Sequence, residues 1–259
     1  MNWNCILERV NQTESTNDDL MVRWRAGELI DPVSRLARHQ TKGKGRAGRA
    51  WFANPQSSLC FSLAYPFTQN SQALHGLSLA CGLAVLQGIA TSLRVPKEQL
   101  HDLGIGLKWP NDLLIGSQKL GGVLCESFQT EAGGVTIVGL GLNIHPVNVP
   151  QALSGQGAAS LVASMPGIAP PTARSLAGTL VPAILDSLDS ALRQGISSIF
   201  SDFAQRDAWL AREVEVIEQG SVVMRGKAMG INHQGAYLVN TEHGIQAVNS
   251  GDLSLRAAP

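Results

Sequence analysis

Apolar positions along the 259-residue chain fall into two regimes. Up to about residue 211, runs of strand length alternate with longer helical stretches. A short strand is predicted over 5–10. The segment Glu14-Ser15-Thr16-Asn17-Asp18 then opens a helix: Ser15 or Thr16 can cap it, and Asp18 and Asp19 suit its positive start. Leu20 and Trp24 lie four apart on one face of that helix, and Gly27 ends it. Strands follow over Val33–His39 and Ser58–Tyr65, then a long apolar helix over Leu74–Leu93 with small residues at Ala80, Gly82, Ala84 and Gly88. A strand ending at Lys108 leads into a hairpin: Leu113–Ile115, a Gly116-Ser117 turn, and Lys119–Glu126. Val135–Ile144 is a further strand, 146–170 a Pro-, Gly- and Ser-rich surface connection, and 172–194 and 196–211 two covering helices.

From Glu213 the pattern changes. Short alternating runs (Val214–Ile217, Val222–Met224, Ala228–Ile231, Ala236–Val239, Ile245–Val248 and Leu253–Leu255) are separated by turns at Gln219-Gly220, His233–Gly235 and Glu242–Gly244. So many strands in so few residues predict a small barrel. The expected fold is α+β: a mixed or antiparallel sheet covered by helices over 1–211, and a β-barrel unit over 212–259.

Composition narrows the classes. Apolar residues make up 44%, enough for a sizeable core, and the formal net charge is zero, which disfavours a general nucleic-acid binder. Cys5, Cys60, Cys81 and Cys125 are scattered, so reduced thiols in a cytoplasmic protein are expected rather than a disulfide framework or zinc site. The N-terminus lacks a signal-peptide pattern, and the apolar stretch Leu77–Ala90 is too short to span a bilayer. Neither a membrane nor DNA is expected as a partner.

Local charge is another matter. Between Lys42 and Arg49 lie three glycines and four cations, followed by Trp51-Phe52. Glycine lets backbone approach a ligand, and Lys and Arg match phosphate or carboxylate oxygens. Gly43, Gly45 and Gly48 satisfy G-x-G-x-x-G, but Asn54-Pro55 follows where the dinucleotide motif needs a helix, and no Gly-Lys-Ser/Thr completes a P-loop. An anion-wrapping loop and a plain solvated basic loop both fit.

Three further segments carry candidate chemistry. Lys108, in an apolar strand before Trp109-Pro110-Asn111-Asp112, requires a partner or ligand because an unpaired buried ammonium is costly; the alternative is a snorkelling lysine on an edge. Gly121-Gly122 imply close approach of a ligand or of another backbone. Gly139 and Gly141 face one side of their strand and leave it bare, which suits a flat ligand or a crossing strand. Ser15-Thr16-Asn17 reads first as a helix cap.

With the glycine loop, Lys-Trp-Pro-Asn-Asp, Lys-Leu-Gly-Gly and Gly-Leu-Gly-Leu-Asn in this order, the sequence resembles the biotin protein ligases over nearly its whole length. The resemblance implies the class II synthetase-like catalytic fold with an SH3-like C-terminal domain. It also implies the form without the N-terminal helix-turn-helix repressor domain that one branch of the family carries. ATP and biotin are the implied substrates, with Mg²⁺, and the implied acceptor is a lysine of the biotin carboxyl carrier protein of acetyl-CoA carboxylase. A monomer or weak homodimer is expected.

Carried over by residue, the resemblance places Ser15, Thr16, Asn17 and Gln40 on biotin, which overrides the cap-only reading of the first three. Lys44, Gly45 and Arg46 match the core of the ligand loop, and Lys108 lies near the biotinyl carboxyl and the phosphate. Trp51, Lys119 and Asn143 fall on the adenylate side, beside the bare positions Gly139 and Gly141. Arg46 and Lys108 are the expected catalytic cations. Two departures stand out: Lys44 replaces an arginine and loses its bidentate fork, and Ala47 replaces another and loses a donor. The nearest alternatives are a ligase for lipoate or octanoate and a non-catalytic anion or nucleic-acid module.

Overall fold

The computed structural model describes residues 4–68, 76–130, 133–149, 157–165, 167–218, 220–249 and 253–257. In chain order, the first elements are β1 (Ile6–Thr13), α1 (Thr16–Arg25), β2 (Val33–Gln40), a 3-10 turn at Arg46–Gly48 and β3 (Ser58–Phe67). Next come α2 (Leu77–Leu93), α3 (Lys97–Asp102), β4 (Ile105–Lys108), β5 (Asp112–Ile115), β6 (Gln118–Thr130) and β7 (Gly133–Asn143). Then follow α4 (Leu161–Ser164), α5 (Ala173–Gln194), α6 (Phe200–Ala204), β8 (Glu213–Glu218), β9 (Ser221–Ile231), β10 (Tyr237–Thr241), β11 (Gly244–Val248) and β12 (Leu253–Ala257).

The first sheet has the order β1-β2-β3-β7-β6-β5-β4. Only β1 and β2 run parallel, joined through α1, so the sheet is mixed as expected. Period-two alternation splits its side chains between two faces. On one face Leu36, Leu63, Val138 and Leu140 join the main core with α2 and α5. On the other, Val33, Ala64, Val135 and Ile137 pack under Leu20 and Met21 of α1. α2 needs its small residues for two neighbours: a side chain at Gly88 would strike Leu180 of α5, and one at Gly82 would press on Leu107 of β4. The expected helix start at Leu74 lies outside the described residues; α2 begins at Leu77.

Ser15 caps α1, accepting from the Asp18 N–H at 3.4 Å, and Gly27 follows the helix at φ +75°. The helix expected over 196–211 forms only in its first half. A 3-10 turn (Ser197–Ile199) and the short α6 give way to turns, because the chain is drawn against the sheet edge. Leu107 N–H donates to Arg206 O at 2.7 Å, and Ala208 N–H donates to Leu107 O at 2.8 Å. Pairing with the open edge of β4 outweighs continued helix.

The C-terminal strands form one antiparallel sheet, β11-β10-β9-β8-β12. Two of the runs expected as separate strands are a single strand, β9, whose first half pairs with β8 and whose second half pairs with β10. Gly226 lies at that switch, where a side chain would collide with Asn240 O. Among the described residues no pairing closes β11 onto β12, so the expected barrel is an open, bent sheet. Its buried face is continuous with the main core: Val214, Tyr237 and Val239 belong to the same apolar cluster as Leu107 and Trp109. Trp109 Nε1 donates to Gly235 O at 3.1 Å, and its ring lies 5.7 Å from that of Tyr237. No helix among the described residues is long and apolar enough to cross a membrane.

Candidate active site

On the α1 face of the first sheet, beyond the start of α1, lies a cavity of about 620 Å³. Every residue that the resemblance places at the site lines it: Ser15, Thr16, Asn17, Gln40, Lys44, Gly45, Arg46, Trp51, Lys108, Lys119, Gly139, Gly141 and Asn143.

One end is neutral and polar. Gln40, the last residue of β2, accepts from the Thr16 N–H at 2.7 Å and lies 2.9 Å from Thr16 Oγ1. Thr16 Oγ1 is 2.6 Å from Ser62 Oγ of β3, and Ser62 donates to Asn17 Oδ1 at 2.5 Å. Asn17 Nδ2 donates to Glu126 Oε2 of β6 at 2.7 Å. Thr16, Asn17 and Ser62 are almost wholly buried. β7 runs between β3 and β6, and Gly139 pairs with Ser62 on one side and Leu124 on the other. The Asn17 carboxamide lies across Gly139, where any Cβ would meet Asn17 Oδ1.

The next bare position is filled the same way: a Cβ at Gly141 would overlap the Trp51 indole. The slots expected to admit a flat ligand are therefore occupied by the protein's own amide and indole, which form the floor. The Gly121-Gly122 pair divides its work. Gly121 permits close approach of the Gly141 carbonyl, and Gly122 faces the Asp112 and Lys119 side chains.

The glycine loop is folded down. Gly45 N–H donates to Arg49 O at 2.7 Å and Trp51 N–H to Gly43 O at 2.8 Å, around a turn that holds Ala47 at φ +53° and Gly48 at φ +69°. Lys44 Nζ lies 2.6 Å from Asp18 Oδ2, a partner on α1 that the sequence reading did not give it. Arg46 and Arg49 line the cavity from this loop.

The other end is cationic. Lys108, 7% exposed, lies 3.8 Å from Asp112 Oδ2 and 4.8 Å from the centroid of the Trp209 ring. Lys119 Nζ lies 2.7 Å from Asp112 Oδ1 and 5.6 Å from the Trp51 ring centroid. Burial, opposed by Asp112 and aided by the Lys119, Arg49 and Arg256 charges, lowers the Lys108 pKa to about 8. Asn143 Nδ2 donates to Ala159 O at 3.1 Å, while Asn143 Oδ1 and Trp51 Nε1, both buried, have no hydrogen-bond partner.

Against known proteins, residues 10–143 match the biotin/lipoate A/B protein ligase family. The chain belongs to this family. Residues 211–256 match the biotin protein ligase C-terminal domain. The ligase is 32% identical to the Mycobacterium tuberculosis biotin–[acetyl-CoA-carboxylase] ligase over 248 residues, 95% of this chain and 88% of that relative. It is 30% identical to the Escherichia coli bifunctional ligase/repressor BirA, over 95% of this chain and 72% of that one. A solved biotin protein ligase from Aquifex aeolicus, in complex with biotin and ATP, superposes with a TM-score of 0.79 at 25% identity, covering 98% of this chain and 99% of that one.

Several groups in this ligase's site were not singled out in the sequence. Asp112 stands in the Trp-Pro-Asn-Asp segment with no role assigned to it, although its spacing of four from Lys108 is visible. Ser62 and Glu126 sit in ordinary strand patterns. Trp209 and Arg256 arrive from the far end of the chain, and Arg256 also lines the cavity. No cluster of three or more His, Cys, Asp or Glu side chains able to hold a metal exists among the described residues. The carboxylate lining the cavity is Asp112, already engaged by Lys119 and Lys108. Such a donor set fits a magnesium ion carried mainly by phosphates and water, and not a protein-built metal cage.

Proposed function

We infer that this protein is an ATP-dependent biotin protein ligase. It joins biotin to ATP as biotinyl-5′-AMP, releasing pyrophosphate, and passes the biotinyl group to a lysine of a biotin carboxyl carrier domain. One observation carries the reading: a single cavity unites a neutral hydroxyl-and-amide end around Thr16, Asn17 and Gln40 with a cationic end around Lys108 and Lys119. That division suits a ligand with an uncharged polar head and a carboxylate tail that must meet a polyphosphate. The names of the M. tuberculosis and A. aeolicus relatives support the same assignment.

In the first step, the biotin carboxylate oxygen bonds to the α-phosphorus and the bond to pyrophosphate breaks. Two anions must approach each other. Lys108, Lys119 and Arg46 offset their repulsion and the charge that grows on the phosphoryl oxygens. Asp112 is the side chain that would help hold a magnesium ion brought in on the nucleotide's phosphates, and such an ion would supply further neutralisation. Asn143 Oδ1 and Trp51 Nε1, left without partners, are suited to the nucleotide side. In the second step, the neutral amine of the acceptor lysine attacks the acyl carbon and AMP leaves. The folded loop excludes water from the mixed anhydride meanwhile. We assign catalysis to residues 1–211 and treat 212–259 as an SH3-like unit that contributes Arg256 to the nucleotide end. The four cysteines, all free thiols, fit action in the cytoplasm.

Calorimetry with biotin, followed by ATP, tests the reading together with pyrophosphate release. The family also covers lipoate ligases, so lipoate and octanoate are titrated in parallel. Binding of biotin with ATP-dependent pyrophosphate release and labelling of a carrier domain is expected. Preferential binding of lipoate or octanoate would reassign the substrate. Ligand binding without pyrophosphate release would remove catalysis.

A further inference from the structure

The geometry points to Glu126 as a positioning residue for the acid's polar head, an inference that rests on the biotin reading above. The two ends of the Asn17 carboxamide have nearly the same shape and opposite hydrogen-bonding character, so shape alone does not select an orientation. Ser62 does not select one either. Its hydroxyl can donate to an amide oxygen or accept from an amide nitrogen. Glu126 decides, because an ionised carboxylate only accepts. It takes the Asn17 Nδ2–H at 2.7 Å and thereby turns Oδ1 towards Ser62, at 2.5 Å.

The choice propagates. Once Ser62 gives its proton to Asn17, it can only accept from Thr16 Oγ1, 2.6 Å away, so the single proton of the Thr16 hydroxyl lies between Ser62 Oγ and Gln40 Oε1, the latter at 2.9 Å. Gln40 Oε1 is held by the Thr16 N–H at 2.7 Å, which leaves the Gln40 Nε2 donors for other partners. One carboxylate therefore sets the direction of the hydrogen bonds that run from Glu126 of β6 through Asn17 of α1 to Ser62 of β3. The bare backbone at Gly139 makes the arrangement possible, since a side chain there would expel the amide. Asn17 keeps one N–H and one lone pair for the ligand, in a fixed order. A cyclic urea, with a carbonyl flanked by N–H groups, can match that order; a dithiolane ring offers neither group.

Glu126→Gln tests this. Glutamine fills the same space but can donate or accept, so it lets the Asn17 amide turn over and removes a charge-assisted bond. The expected result is a rise of about tenfold in the KM for biotin, with kcat and the KM for ATP within about twofold of the parent. In the ligand-free protein, the Asn17 side-chain amide signals in ¹⁵N NMR, assigned by their loss in Asn17→Asp, should shift upfield or double in Glu126→Gln. If Glu126→Gln does not fold, Glu126→Asp, whose carboxylate falls one methylene short, is read in the same way. An unchanged biotin KM together with unchanged amide signals overturns the role. So does an equal loss in all three kinetic constants. Absence of biotin binding by the parent protein would instead sink the ligase reading, while the NMR measurement would still report on the Asn17 lock.

Discussion

The indole of Trp51 occupies the space that a side chain at Gly141 would fill. The closed glycine loop is therefore seated on the sheet through one aromatic ring, with Lys119 5.6 Å from that ring's centroid. Gly141→Val should unseat it, since overpacking of this kind costs about 1–3 kcal/mol. We expect the KM for ATP to rise by about tenfold or more, with the protein folded and biotin still bound. Calorimetry with biotin alone, followed by pyrophosphate exchange, checks both halves.

Arg46 belongs to the same loop. Arg46→Gly should loosen the cover and let biotinyl-5′-AMP escape, so that lysines on bystander proteins become labelled. A mixture of carrier domain and an unrelated lysine-rich protein, probed for biotin, measures this. Slower labelling that stays confined to the carrier would leave the loop without a sealing role.

Lys108 should impose a pH limit. Its folded pKa of about 8 lies below the usual lysine value, chiefly through burial. Between those two values the unfolded chain binds the extra proton, so stability rises with pH across that window and Lys108 carries a penalty below it. Lys108→Met should be more stable than the parent at pH 7, by roughly 2–3 kcal/mol, with the gap closing as pH rises above 8. The same variant should lose biotin-dependent pyrophosphate exchange. In the parent, kcat/KM for ATP should fall as pH rises through about 8, as the ammonium is lost. Lys108→Arg should abolish that alkaline limb.

Asp207 tests the junction between the two sheets. Burial raises its pKa to about 6, against hydrogen bonds from the Trp209 N–H and the Tyr237 hydroxyl, the latter at 2.7 Å. The folded state therefore holds this proton more tightly than the unfolded chain. Stability falls as pH rises from about 4 to 6 and the penalty persists above that. Asp207→Asn should be more stable than the parent above pH 6, by up to about 2 kcal/mol, and lose that advantage near pH 4. Thermal melts across this range decide it.

These sites show what the sequence made legible. Lys108 announced its need for a partner, because an ammonium in an apolar strand requires one, and Asp112 stood four residues away. Trp209, a hundred residues further on, became its neighbour only through pairing of the chain with the edge of β4. Gly139 and Gly141 revealed a bare face by alternation alone. What covers that face depends on α1 and the loop folding over it, a tertiary fact with no local signal. The helix expected over 196–211 stopped at Ala204 for a related reason: beyond it, local propensity lost to an unsatisfied strand edge. The six C-terminal runs were visible, but whether two of them form one bent strand depended on what crosses Gly226.

The contacts of Leu107 with Arg206 and Ala208, and the ring of Trp209 beside Lys108, come from the last quarter of the chain. During synthesis the ribosome would release Thr16, Asn17 and Gln40 long before these. A nascent polypeptide would therefore hold the residues of the neutral end of its cavity early and still lack the cover over its central ammonium. The indole beside Lys108 would take its place only after residues 206–209 had followed.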